Sequence, residues 1–265
     1  MSITVTKISE NIYEFNEGMM LPDGSTSPYV DAYLYIGRTK AAVIDTLQHE
    51  DGLYAAVRAL TDLPLEVLIT HGHPDHAGAS TGAFYDAGCP IWMDAQDLSR
   101  LKTMVPATED RWFSALSDGQ TFDLGGITLT AIHCEGHTIG SYVFLDAANK
   151  LLFSGDTVGS GTIWMQIPGC VSISRFEAST RRLLNILTPL RLNDVLVYPG
   201  HRYQSPVQLT GQIVEDDWEI CRGILNGSIT GEDRVMDMRG MHLSYKETSR
   251  GQMRSFCYDP ERVMG

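Results

Sequence analysis

Apolar and polar positions alternate from the start of the chain. Ile3 and Val5, then Ile12, Tyr13 and Phe15, flank a polar break at Ser9-Glu10-Asn11 and predict two strands joined by a turn. Glu17 to Tyr29 carries two glycines, two prolines and three hydroxyl residues and is expected as a loop. Val30 to Ile36 and Ala41 to Asp45 predict a hairpin turning at Gly37-Arg38-Thr39-Lys40. Helical spacing of Leu53, Ala56, Val57 and Leu60 covers Gly52 to Leu60, and Leu65 to Ile69 returns as a strand. Helices are then expected over Ala79 to Ala87 and Gln96 to Met104, on either side of a strand at Pro90 to Met93. Val105 to Ser117 is irregular. Strands follow at Gln120 to Leu124 and Ile127 to Ile132 about Gly125-Gly126, and at Ser141 to Leu145 and Lys150 to Phe153 about Asp146 to Asn149. Ser174 with Glu177 three positions on has the pattern of a capping box for a helix to Leu187. Asn193 to Tyr198 is a strand, Val207 to Leu225 contains a helix, and Met241 to Tyr258 holds two short strands around Ser249-Arg250-Gly251. Strand and helix alternate throughout, so the class is α/β or α+β. With no repeat and no low-complexity linker, residues 1–265 are expected as one domain, with 207–265 as a C-terminal helix and hairpin.

Composition narrows the function. An apolar fraction of 43%, with 25 glycines and 11 prolines, is that of an ordinary globular chain. The net charge of −13, with Arg181-Arg182 the one adjacent basic pair, argues against nucleic acid as a partner. Five widely spaced cysteines without a C-x-x-C pair suit reduced thiols. Met1 to Glu10 lacks a basic start followed by an apolar core, and there is no run of 18 apolar residues. The expectation is a cytoplasmic protein without a membrane partner, acting on a small molecule, with a homodimer left open.

The chemistry is concentrated where the Val67 to Ile69 run ends. Three histidines and an aspartate fall within six positions in His71-Gly72-His73-Pro74-Asp75-His76. Gly72 and Gly78 free the backbone to turn, and Pro74 excludes helix just before it. Protonated imidazoles repel one another, so such a cluster is favourable when a cation collects it. Imidazole with carboxylate suits zinc, iron or manganese, whereas calcium or magnesium would take mostly oxygen. Three other strand ends carry candidate ligands, each directly after a glycine: His137 in Cys134-Glu135-Gly136-His137, Asp156 in Ser154-Gly155-Asp156, and His201 in Pro199-Gly200-His201.

In order and rough spacing, H-x-H-x-D-H followed by these three ligands resembles the metallo-β-lactamase-fold hydrolases from Val30 to about Tyr203. The resemblance implies a four-layer αββα sandwich, with two mixed β-sheets face to face, helices outside and metal at one rim. It assigns His71, His73 and His137 to one divalent ion, Asp75, His76 and His201 to a second, and Asp156 as the bridge. Zinc is the first choice for both ions, with iron or manganese as alternatives. A metal-bridging hydroxide would then attack a small ester, lactone, thioester or amide, with Asp75 also passing a proton to the leaving group. All seven ligands are present and none is cysteine, unlike the β-lactam-hydrolysing branch that places a thiolate on the second metal. His73 departs from the diiron flavoprotein branch. Glu135 stands where relatives often have proline, and Arg202 stands where the hydroxyacylglutathione hydrolase branch often has glutamate. Thr157-Val158-Gly159 lacks the tyrosine of the acyl-homoserine lactonases.

Alternative functions are a mononuclear-iron persulfide dioxygenase, with His71, His137 and Asp156 as a facial triad, or a small phosphodiesterase. A silent binding protein ranks last. Asp45 is the first candidate to orient a ligand imidazole, while Thr70 and Thr138 read as ordinary hydroxyls beside a loop. Met20, Trp112, Trp164 and Tyr203 are the expected substrate contacts. His49, His133 and His242 fall outside the ligand pattern and are read as structural.

Overall fold

In the computed structural model, β1 (Ile3–Lys7) and β2 (Ile12–Met20) pair antiparallel with Val5 opposite Phe15, as their alternation predicts. The structure describes residues 3–21, 23–49, 52–205, 207–238, 240–252 and 255–265. Contacts divide the chain into a first unit, residues 1–132 with 144–149, and a second, residues 133–143 with 150–265.

The first unit holds a seven-stranded sheet in simple sequence order. β3 (Thr26–Ile36) continues it, antiparallel to β2 from Ile12 opposite Tyr35 out to Met20 opposite Thr26. The loop expected over Glu17 to Tyr29 is therefore largely strand. Its polar, Gly- and Pro-bearing residues hide a ladder that the two segments complete for each other, with a bulge at Glu17/Gly18 and Gly18 opposite Pro28. Pro22, also in that stretch, lies outside the described residues. β4 (Ala41–Ile44), α1 (Leu53–Arg58) and β5 (Leu65–Leu68) make the expected crossover, with β5 parallel to β4. After α2 (Thr81–Asp86), β6 (Ile91–Met93) adds parallel to β5. After α3 (Ala95–Met104), β7 (Phe113–Ala115) adds parallel to β6, inside the stretch expected to be irregular. Phe15, Leu34, Val43, Val67, Phe84 and Ile91 form the buried core of this unit. β8 (Thr121–Asp123) and β9 (Thr128–His133) make a hairpin whose turn uses Gly125 and Gly126, both at positive φ (84° and 88°), and β10 (Tyr142–Asp146) follows.

In the second unit, β11 (Leu151–Gly155) and β12 (Thr162–Met165) are followed by α4 (Ile173–Leu187). Ile173, Phe176, Thr180, Leu183 and Leu187 form the buried stripe of α4, at alternating spacings of three and four. The helix begins two residues earlier than the capping-box pattern suggests. Ser172, with extended backbone, is the N-cap and accepts the Arg175 N–H, while Glu177 instead accepts the Trp218 indole N–H at 2.8 Å. β13 (Leu196–Pro199) lies parallel to β11, and β14 (Leu209–Thr210) antiparallel to β13. α5 (Gln212–Leu225) is followed by β15 (Glu232–Met238), β16 (Met241–Thr248) and β17 (Ser255–Tyr258). These three strands and β12 form a sheet ordered β12-β17-β16-β15, with β12 and β17 parallel. The C-terminal hairpin thus has one strand more than expected. The segment from Ser160 to Val171 contains a strand whose partner lies far along the chain. Among the described residues no helix is long and apolar enough to cross a membrane.

Candidate metal centre

β5 ends at Leu68, and Ile69 N–H still reaches the Trp92 carbonyl. The chain then turns sharply, with the His76 and Ala77 amides both donating to the His73 carbonyl at 3.0 Å. Gly72 N–H donates to the buried Asp97 Oδ2 at 2.8 Å. A Cβ on Gly72 would lie 2.7 Å from the Asp97 Cβ, so the bare backbone is needed there. On the other side, Thr46 N–H donates to His76 O at 2.8 Å and Gly78 N–H to Leu47 O at 2.9 Å. Leu47 is fully buried at φ 60° and Asp45 sits at φ 64°, conformations that L residues hold only when their surroundings impose them.

This framework turns the imidazoles of the motif towards one another. His71 Nε2 and His73 Nδ1 lie 3.0 Å apart. Two nitrogens 2.0–2.1 Å from one tetrahedral ion would lie about 3.3 Å apart, so the pair fits a common cation. The His71 and His76 rings are 4.2 Å apart between centroids, and Asp75 Oδ2 lies 3.9 Å from His76 Nε2. Asp45 accepts Thr70 N–H at 2.7 Å, the Thr70 hydroxyl at 2.8 Å and His76 Nδ1 at 2.7 Å. The Thr70 hydroxyl spends its one proton on Asp45 and so accepts from His71 Nδ1 at 3.0 Å. Both rings thus carry their proton on Nδ1 and keep the Nε2 lone pair for an ion. Burial is the largest influence on Asp45 and pushes its carboxyl up, opposed by the His76 ring and the Thr70 donors. Asp45 has the orienting place expected of it, and Thr70 has a larger part than an ordinary hydroxyl.

The second unit builds its own cluster on three strand ends. His137 Nδ1 donates to the Trp164 carbonyl at 2.8 Å, which again leaves Nε2 for an ion. Asp156 Oδ1 accepts the Ser160 hydroxyl at 3.1 Å, while Oδ2 lies 3.2 Å from His201 Nε2 and 3.7 Å from His137 Nε2. The preceding glycines have specific reasons. A Cβ on Gly136 would meet the Phe176 ring at 2.5 Å, and Gly155 is at φ 51°. Glu135 pairs with Arg175, whose Nε lies 2.9 Å from Oε1.

His71, His73, Asp75 and His76 are therefore brought together in one unit, and His137, Asp156 and His201 in the other. Imidazole and carboxylate donors with their far nitrogens already engaged fit a borderline divalent cation. The expected substrate contacts scatter. Met20 is exposed at the end of β2, and Tyr203 is half exposed with its ring 6.3 Å edge-on to His201. Trp112 is committed to packing on α2, with its ring 6.1 Å from Tyr85 and lying over Gly82. Trp164 enters through its backbone carbonyl. Outside the clusters, His133 Nε2 bonds the Ile139 carbonyl at 2.9 Å and His242 Nδ1 bonds Asp237 at 2.8 Å.

Three contributors were not anticipated. Tyr29 Oη donates to Asp75 Oδ2 at 3.2 Å, Asp97 holds Gly72, and Ser160 holds Asp156. Ser160, four residues beyond Asp156, was the one within reach of local reasoning, since short hydroxyl side chains readily hydrogen-bond nearby turns.

Residues 26–201 match the family model described as the metallo-beta-lactamase superfamily. A hydroxyacylglutathione hydrolase of Rhodospirillum rubrum is 32% identical over 182 residues, covering 66% of this chain and 64% of that protein. The human acyl-coenzyme A thioesterase MBLAC2 is 30% identical over 162 residues, covering 52% of this chain and 56% of that one. The chain thus spans less than two thirds of the length of either relative. Among solved structures, a metallo-beta-lactamase from Pontibacter korlensis superposes with a TM-score of 0.66 at 18% identity, over 83% of this chain and 99% of that one. That likeness shows a shared fold.

Proposed function

The chain belongs to the metallo-beta-lactamase superfamily, and from that premise we propose that it is a binuclear metal-dependent hydrolase of small thioesters. Ester, lactone and amide carbonyls are the related alternatives. The observation that carries this reading is the presentation of the rings. The Nδ1 atoms of His71, His76 and His137 are engaged by Thr70, Asp45 and the Trp164 carbonyl, so each ring offers Nε2. The family resemblance would assign His71, His73 and His137 to one ion, Asp75, His76 and His201 to another, and Asp156 to both. Within each unit the geometry supports this, with His71, His73, Asp75 and His76 turned together in the first and His137, Asp156 and His201 in the second. Zinc is the first choice for both ions, on the chemistry of the donors. When bound, such ions acidify a water and polarise a carbonyl oxygen.

The chain's own groups do the rest. Asp45 and Thr70 hold two imidazoles in the ligating tautomer. Ser160 fixes Asp156 Oδ1, so that Oδ2 faces His137 and His201. Asp75 carries a proton towards the leaving group, with the Tyr29 hydroxyl holding the same Oδ2. Thioesters rank first because two relatives are named as a hydroxyacylglutathione hydrolase and an acyl-coenzyme A thioesterase. A thiolate leaves with less assistance than an alkoxide, which suits a site with one proton carrier. The absence of a nucleic-acid partner rests on the net charge of −13, and the small-molecule substrate on the named relatives.

Elemental analysis of protein purified without added metal, followed by a panel of thioesters, esters and lactones, tests the reading. About two zinc per chain with thioester turnover is the expected result. One iron, no zinc and oxygen uptake with a persulfide would replace it with the dioxygenase.

A further inference from the structure

Resting on the metal-centre reading above, we propose that the C-terminal segment 255–265 is a latch that sets His137 as a metal ligand, with Arg262 as its positioning residue. His137 and the residue before it are held at three points by the stretch from Trp164 to Val171. The ring Nδ1 donates to Trp164 O at 2.8 Å, Cys170 Sγ lies 3.2 Å from His137 O, and Val171 N–H donates to Gly136 O at 3.0 Å. That stretch is in turn anchored by the chain terminus. Trp164 in β12 pairs in parallel register with Cys257 in β17. Beyond β12, one guanidinium gathers the backbone of the turn. Arg262 Nη2 donates to Gln166 O at 2.8 Å, Ile167 O at 3.0 Å and Met165 O at 3.5 Å, and Nη1 donates to Cys170 O at 3.1 Å.

The remaining nitrogen is also used. Arg262 Nε pairs with Asp259 Oδ2 at 2.9 Å, and Ser174 N–H donates to Val263 O at 3.0 Å, which docks the terminus on the first turn of α4. The two N–H groups of Nη2 are shared among three carbonyls while Nη1 and Nε take a fourth carbonyl and a carboxylate, a planar fork that a lysine ammonium, with three donors on one centre, does not reproduce. The segment 255–265 lies outside residues 26–201, the part that matches the family model. Through it, the direction of the His137 Nε2 lone pair depends on a side chain that touches neither metal nor substrate.

The test compares the full-length protein with Arg262→Met and Arg262→Lys. Zinc affinity is measured by competition with a chromophoric chelator, and the histidine ring N–H signals are followed by NMR in metal-free protein. Arg262→Met is expected to lower zinc affinity about 10- to 100-fold, the range for losing a group that orients a ligand, with Arg262→Lys in between. The His137 Nδ1–H is expected to exchange faster, while the His71 and His76 ring signals stay in place. Lys150→Ala, which breaks the exposed pair with Asp194, controls for general destabilisation and is expected to change nothing. If Arg262→Met does not fold, the lysine variant carries the same comparison. Zinc affinity within twofold of the parent, with an unchanged His137 signal, overturns the latch alone. A parent protein that takes up no zinc overturns the metal reading itself.

Discussion

Asp45→Asn keeps the packing around His76 and changes what its Nδ1 partner can accept. The native carboxylate accepts three hydrogen bonds: Thr70 N–H on Oδ1, and the Thr70 hydroxyl and His76 Nδ1–H on Oδ2. An amide of the same shape has one accepting oxygen and one donating nitrogen. With the NH2 in the Oδ2 position, His76 relieves the clash of donors most cheaply by moving its proton to Nε2, the nitrogen an ion needs. The Thr70 hydroxyl would turn to accept, reversing its relation to His71. With the NH2 in the Oδ1 position, it faces the Thr70 amide, 2.7 Å away and buried. Each arrangement costs about 1–3 kcal/mol for one donor left unmatched. Loss of a group that orients a metal ligand corresponds to about 10- to 100-fold in affinity, roughly 1.4–2.8 kcal/mol. Competition with a chelator reads the affinity, and 15N shifts of the His76 ring read the tautomer. Zinc affinity within twofold of the parent, with the His76 proton still on Nδ1, would refute the reasoning.

The carboxyl of Asp217, fully buried on α5, is pushed well up by burial and then by Asp216. A carboxyl raised on folding contributes stability below its unfolded pKa and loses it as pH rises towards the folded value, at about 1.4 kcal/mol per unit. Asp217→Asn is therefore expected to gain thermal stability over the parent as pH rises from 5 to 8, and parallel Tm profiles would contradict this. Gly78→Ala would press a Cβ into the Leu47 and Gln48 carbonyls and within 2.5 Å of the Pro74 carbonyl. These are backbone atoms that cannot swing aside, so about 1–3 kcal/mol of stability and most of the zinc affinity should be lost. Chemical denaturation and chelator competition would show both losses, and an unchanged protein would mean that the loop yields freely. His133→Ala should leave zinc stoichiometry at the parent value, because that ring bonds the Ile139 carbonyl and packs 5.1 Å from Tyr142. Metal loss in this variant would move the ligand assignment on that strand.

How far the sequence could be read depended on the range of the interactions involved. The clustering at His71, His73, Asp75 and His76 is legible because four donors within six positions have little to gain without a cation, and that argument needs no partner from elsewhere. Asp45 was reachable for a similar reason, as a carboxylate ending the strand beside the motif. Where the partner is distant, local pattern fails. β2 and β3 run on to Met20 and from Thr26 through residues with loop composition, because each supplies the other's hydrogen bonds. β12 is invisible until β17 lies beside it. Ser172 rather than Ser174 caps α4, since Glu177 is spent on Trp218 instead of returning to the helix start.

By itself, then, the amino-acid sequence determined the α/β alternation and the family and put forward the seven candidate donors, because these follow from side-chain chemistry and near-neighbour spacing. The folded chain alone decided how those donors are aimed. Trp164 was singled out for its indole, yet its carbonyl is what holds His137. Arg262 acts through four carbonyls of a turn in the same way. Every residue carries a carbonyl, so which one ends up beside an imidazole leaves no mark in the sequence and is settled only when distant segments pack.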